Sequence, residues 1–172
     1  MKTPPSPPGL SLAVQYATSA PSLERWRLRR WVQRALAGGC ADLAARQQPV
    51  PTTAEFTLRL VDAEEGAELN ETWRQSSGPT NVLTFTYDDM PATKLLADIV
   101  LCVPVIEAEA RHQDKVLHHH AAHLVTHGVL HALGYDHDTD EQARIMETLE
   151  SQLLATAGIP DPYQTSVPPA SP

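Results

Sequence analysis

The stretch from His118 to Leu133 constrains the fold more than any other part of the chain. Ala121, Ala122, Leu124, Val125, Val129, Leu130, Ala132 and Leu133 cover almost every direction of a helix. A helix apolar all round is buried in the middle of its domain. This one also carries histidines, and buried imidazoles need partners. Positions four apart in a helix lie about 40° apart and one turn up the same face. His127 and His131 therefore aim two rings at one point. Gly134 can take a left-handed conformation and end the helix, so that the returning chain brings His137 to the same point. Three neutral ring nitrogens with one open position make a catalytic zinc site, where bound water ionises near neutral pH.

The other histidines read differently. His123 lies one turn before His127, which makes a competing ligand pair; a role as a buried residue or as a partner of a ligand is the preferred reading. The run His118, His119, His120 at the helix start reads as solvated, with incidental surface metal affinity. The spacing H-x-x-x-H-x-x-G-x-x-H is also that of metzincin peptidases, whose first His is followed by the general-base Glu. Here that position is Gly128, so peptide hydrolysis would lack its base.

The rest of the chain supplies one domain around that helix. Its 172 residues suit a single domain with a sizeable core. Cys40 and Cys102 are too few for a disulfide framework, and a reduced, cytoplasmic setting follows as the default. No window approaches the roughly 20 apolar residues that span a bilayer, and the proline-rich start makes a poor signal peptide. Residues 1–9 and 160–172 concentrate Pro and Ser and are expected to be disordered tails flanking a domain over 10–159. Alternation predicts strands over 10–17, 53–61, 81–87 and 95–103. Helices are expected over 22–37 (capped by Ser22, ended by Gly38-Gly39), 62–75 (Asp62 with Glu65), 104–113 (Pro104 in the first turn), 118–133 and 139–156 (Thr139 with Gln142). Residues 38–51 are expected to be a loop. Four strands and about five helices make an α+β domain.

Charge is uneven. Residues 1–50 carry seven Lys/Arg against two Asp/Glu, and the remainder six against nineteen. At a net charge of -8 the protein repels polyphosphate on average, so any nucleic-acid contact has to be local. The segment from Glu24 to Arg34 interleaves five arginines with Trp26 and Trp31. Phosphate contact with base stacking is one reading. The preferred one is an amphipathic helix that buries Leu23, Trp31 and Leu36 beneath a solvated Arg face, which can still assist RNA docking. Met146 belongs with Leu149 and Leu153 to the apolar stripe of the last helix.

His127-Gly-Val-Leu-His131-Ala-Leu-Gly-Tyr-Asp-His137 resembles the signature of the YbeY family, bacterial metal-dependent endoribonucleases of ribosomal RNA maturation. Leu69-Asn-Glu-Thr-Trp-Arg74 followed by Pro79-Thr-Asn-Val-Leu-Thr-Phe85 is similar to the family's LN-x-x-(aromatic)-R and TNVLSF, and Ala97-Asp98-Ile99 to its Gly-Asp-Ile. Thr84 and Ala97 replace the usual Ser and Gly, and neither is a proposed ligand. The resemblance spans residues 53–150. It implies a single domain with the His helix central against a mixed four-stranded sheet, and one zinc ion held by His127, His131 and His137. It further implies an essential Arg74, single-stranded RNA as substrate, maturation of the 16S rRNA 3′ end, ribosome quality control, and the ribosome or its small-subunit proteins as partners.

Phosphodiester cleavage builds charge on phosphate oxygens, which a metal and a fixed guanidinium can stabilise. Arg74, at a helix end before a Gly-Pro turn, is placed for that role; alone it would read as a surface charge favoured by the helix dipole. Asp98 inside an apolar strand reads as structural, Asp136 as a partner of His137 or of the turn, and Asn81 as either a turn residue or a substrate contact. Two other functions share the same fold and metal: a non-catalytic, zinc-stabilised ribosome-binding factor, and a zinc hydrolase of another bond.

Overall fold

The computed structural model describes residue 3 and residues 5–164. In chain order the elements are β1 (Gly9–Tyr16), α1 (Arg25–Ala45), β2 (Thr53–Val61), α2 (Ala63–Arg74), β3 (Val82–Thr86), β4 (Lys94–Cys102), α3 (Val103–His112), α4 (Leu117–Ala132) and α5 (Asp140–Thr156). The strands form one mixed sheet in the order β1-β2-β4-β3. β1 and β4 run parallel to β2, while β3 pairs antiparallel with β4, Thr84 opposite Ile99 and Phe85 opposite Asp98. This is the expected α+β domain with five helices and a mixed four-stranded sheet.

Period-two alternation decides which face is covered. Ala54, Phe56, Leu58 and Leu60 of β2 and Ala97, Ile99 and Leu101 of β4 turn to one side and join a single core with α1 and α4. Each fully buried Leu or Ile there contributes about 1.5–3 kcal/mol. α4 lies at the centre, touching β3, β4, α1, α3 and α5. On the opposite face Val61, Leu83, Val100 and Cys102 form a smaller cluster with Leu69 of α2. Met146 and Leu149 of α5 close the outer side of α4 on Leu130, the role expected for that stripe. Leu23 and Leu36 are buried and Trp31 partly so, as expected of the arginine-rich helix. Among the described residues no helix is long and apolar enough to cross a membrane.

Three expectations are corrected. α1 does not stop at Gly38-Gly39 but runs to Ala45, so much of the expected 38–51 loop is helix. A Cβ on Gly38 would lie 2.0 Å from Leu153, and one on Gly39 2.5 Å from Leu133. These glycines admit neighbouring helices rather than break their own; the turn comes at Gln47, with φ of 59°. Nor does Ser22 cap α1, which starts after Glu24 without a side-chain cap. Finally, 160–164 do not trail away. Asp161 Oδ1 accepts from the Ser151 hydroxyl (2.8 Å) and from Tyr163 N (2.9 Å), and the Pro162 carbonyl accepts from Lys115 Nζ (3.3 Å). The rest of the expected C-terminal tail, 165–172, lies outside the described residues, as do 1, 2 and 4 of the N-terminal one.

Candidate metal centre

The end of α4 is built as its sequence dictates. Gly134 takes φ of 102°, Gly134 N donates to the His131 carbonyl and Tyr135 N to that of Leu130, both at 3.0 Å. That pair of bonds is a Schellman cap, and Tyr135 packs on Leu130 as the accompanying apolar contact. The cap reverses the chain and returns His137. Asp136 Oδ1 accepts from His137 N at 2.8 Å, which fixes the returning loop and lowers the Asp136 pKa.

His127, His131 and His137 thus meet. Their ring centroids are 4.5, 5.7 and 4.9 Å apart in pairs, and one ligand nitrogen from each lies within 4.8 Å of the others. Burial, with the two neighbouring imidazoles, lowers the His131 pKa to about 4. The ring is therefore neutral at physiological pH, the form that ligates a metal. Arg74, the last residue of α2, reaches the same cleft of about 270 Å³, together with Asn81, Val82, Thr84 and Thr86 from the β3 edge. Among the described residues its guanidinium has no carboxylate partner, and no carboxylate lines the cleft. Asn81 serves the turn, its Oδ1 accepting from Val82 N (2.7 Å), and it also lines the cleft.

Gly128 does not face this cleft. A Cβ there would sit 3.1 Å from Ile99 and 3.2 Å from the Thr84 hydroxyl. α4 lies so close to the sheet here that any side chain at 128 would press on Ile99 and Thr84.

The sequence reading missed Glu150. Its side chain is fully buried in α5; Oε1 lies 2.7 Å from His127 Nδ1 and Oε2 2.9 Å from His123 Nε2. The Tyr163 hydroxyl also donates to Oε2. Burial alone would raise the Glu150 pKa, but hydrogen bonds from His123, His127 and Tyr163 outweigh it and bring it down to about 2. An ionised carboxylate on Nδ1 keeps the proton there and leaves Nε2 of His127 for the cleft. A signal was present: Glu150 lies one turn from both Met146 and Leu154, on the buried stripe of α5. His123, His127 and Glu150 also form a second cluster of metal-ligating type. There both Glu150 oxygens, His127 Nδ1 and His123 Nε2 are already engaged with one another, while His123 Nδ1 is buried with no partner among the described residues; the engagement with Glu150 supports the reading of His123 as a partner rather than a ligand.

Other candidates fall elsewhere. Asp98 points to the opposite face of the sheet, where Oδ2 accepts from the Tyr87 hydroxyl. His120 is buried, not solvated as expected, with Nε2 3.5 Å from Glu109; burial first of all lowers its pKa.

Comparison with known proteins decides the family. The family described as Endoribonuclease YbeY matches residues 14–158. The chain belongs to the YbeY family. The Endoribonuclease YbeY of Bordetella avium is 52% identical over 156 residues, covering 91% of this chain and 94% of that one. Its counterpart in Pseudomonas entomophila is 48% identical over 157 residues, covering 90% and 93%. The fold is shared with TM1509 of Thermotoga maritima, known from a solution structure, with a TM-score of 0.54 at 20% identity over 90% of this chain and 100% of that one. The YbeY match takes in α2, β3 and the whole of α4, so every side chain of the cleft lies inside it.

Proposed function

We propose that this protein is a zinc-dependent endoribonuclease specific for single strands, acting in the cytoplasm on the 16S rRNA 3′ end and in ribosome quality control. The observation that carries this reading is the meeting of three imidazoles and Arg74 in one cleft, in a chain whose relatives bear the name endoribonuclease. The donor set suits one zinc ion on His127, His131 and His137, since three neutral nitrogens leave a fourth position open. Such an ion, when bound, supplies Lewis acidity toward a phosphate oxygen and lowers the pKa of water.

The chain's own residues do the rest. Glu150 holds His127 in the tautomer that presents Nε2, with Tyr163 and His123 fixing the carboxylate in turn. Asp136 fixes the loop of His137. Arg74 offers a planar fork of donors to the phosphate, where charge grows during cleavage. Among the described residues no carboxylate lines the cleft, and position 128 is tight against the sheet; both disfavour peptide hydrolysis. Ribosomal small-subunit proteins are the natural partners of such an activity, because they would hold a chain of net negative charge close to rRNA.

The test is cleavage of a labelled single-stranded oligonucleotide of the 16S rRNA 3′ end by wild type and His131→Ala, purified identically. Activity only in wild type places hydrolysis at this centre. Equal rates in both would mean a contaminating nuclease, and a silent wild type would favour the ribosome-binding factor.

A further inference from the structure

A cavity larger than the metal cleft lies elsewhere among the described residues. It is a groove of about 740 Å³ on the opposite face of the sheet, between α2 and the β3–β4 pair. The two cavities flank the same edge strand, and both are lined by Thr84 and Thr86 of β3. They also share the end of α2. Successive helix residues point about 100° apart, so Arg74 enters the metal cleft while Trp73 enters the groove.

Trp73 is 65% exposed and meets Phe85 edge-on, with ring centroids 6.0 Å apart; Tyr87, also exposed, stands beyond. Three aromatic rings at the rim of one groove form an apolar platform that water covers at a cost. The polar floor is specific too. Arg59, the one cation lining the groove, is held by both oxygens of Glu65, at 2.5 and 2.8 Å. Asp98 accepts from the Tyr87 hydroxyl on one oxygen and has no salt-bridge partner among the described residues. A groove with a paired arginine and an unpaired carboxylate repels phosphate, but it suits an uncharged, flat, hydrogen-bonding ring.

We propose that this groove is a nucleobase subsite. It takes a base of the single-stranded substrate next to the phosphate at Arg74, stacks it on Trp73, and through Asp98 favours bases that carry an exocyclic amino group. The proposal rests on the endoribonuclease reading. That the two cavities border the same edge strand, with Thr84 and Thr86 in both, is what favours an RNA strand over a peptide. A strand lying across that edge presents a phosphate to one side and a base to the other.

The experiment uses the zinc-loaded full chain and 5′-labelled C10 and U10 oligoribonucleotides. Binding is read by fluorescence anisotropy on ice, with the probe checked intact on a gel. Trp73→Ala is expected to weaken C10 binding about tenfold, the loss of one stacked base, with zinc content unchanged; Trp73→Phe restores most of it. Wild type is expected to prefer C10 to U10 about tenfold, as for one hydrogen bond to a charged acceptor, and Asp98→Asn to abolish the preference. C10 binding by Trp73→Ala equal to wild type would overturn the subsite while leaving the endoribonuclease reading intact. Equal wild-type affinities for C10 and U10 would overturn the role of Asp98. A wild type that binds neither strand would bring down the endoribonuclease reading and the subsite with it.

Discussion

Replacing Glu150 by glutamine keeps the packing of α5 and removes one charge. In the folded protein the Glu150 carboxylate receives His127 on one oxygen, and His123 and Tyr163 on the other. A carboxamide has a single oxygen. Turned toward His127, that oxygen keeps the bond at roughly half the strength of the charged one. Turned away, it sets an N–H against the Nδ1 proton, and relief requires the proton to move to Nε2, the nitrogen meant for the metal. Either way His127 becomes a poorer ligand. Loss of an orienting carboxylate typically costs about 10–100-fold in metal affinity. Loss of a charged hydrogen bond at a side chain with no exposure costs about 1.5–3 kcal/mol of stability. Zinc affinity is read by competition with a chromophoric chelator, and stability by urea unfolding of the metal-free protein. A Glu150→Gln protein that binds zinc within about twofold of wild type would refute the orienting role.

Other outcomes follow from the same geometry. Arg74→Lys keeps the charge but not the planar fork, so RNA cleavage should fall by about 10²-fold or more while zinc content holds; unchanged turnover would remove Arg74 from the mechanism. Gly128→Ala presses a methyl group against Ile99 and Thr84. The overpacking should cost about 1–3 kcal/mol in urea unfolding, and a Gly128→Glu protein should not digest casein. The unfolded His131 imidazole holds its proton below about pH 6.5, the folded one only below about 4. Unfolding between those values takes up a proton, so stability of the metal-free protein should fall as pH drops through that window. His131→Ala should flatten the slope, as followed by thermal melts across pH.

Much of the fold could be read locally because local signals carried it. β2 runs over 53–61 as its alternation predicts, and Thr139 with Gln142 makes a complete capping box at the start of α5. The α4 cap is a consequence of Gly134 alone. The failures have tertiary causes. Gly38-Gly39 looks like a helix stop until Leu153 and Leu133 are seen against it. Nothing in β4 says that it inserts between β2 and β3, since register and order depend on partners distant in the chain. The same holds at the centre itself. The three histidines lie within eleven residues and declare their geometry, whereas Glu150 and Tyr163 join them only once α5 folds back on α4. Asp98 had a signal, a carboxylate in an apolar strand, but its partner Tyr87 is set by the β3–β4 pairing. Arg74 stands between these cases: its place at a helix end and its direction toward the metal were readable, but not the β3-edge residues that line the cleft with it.

Zinc titration of the chelator-treated protein, with RNA cleavage followed at each addition, tests the central claim most directly. The rate for a single-stranded 16S 3′-end oligonucleotide should rise linearly and break at one zinc per chain. His131→Ala should show neither the break nor the rise. Cleavage that is already complete without metal, or a fully zinc-loaded wild type that leaves the strand intact, would contradict the account.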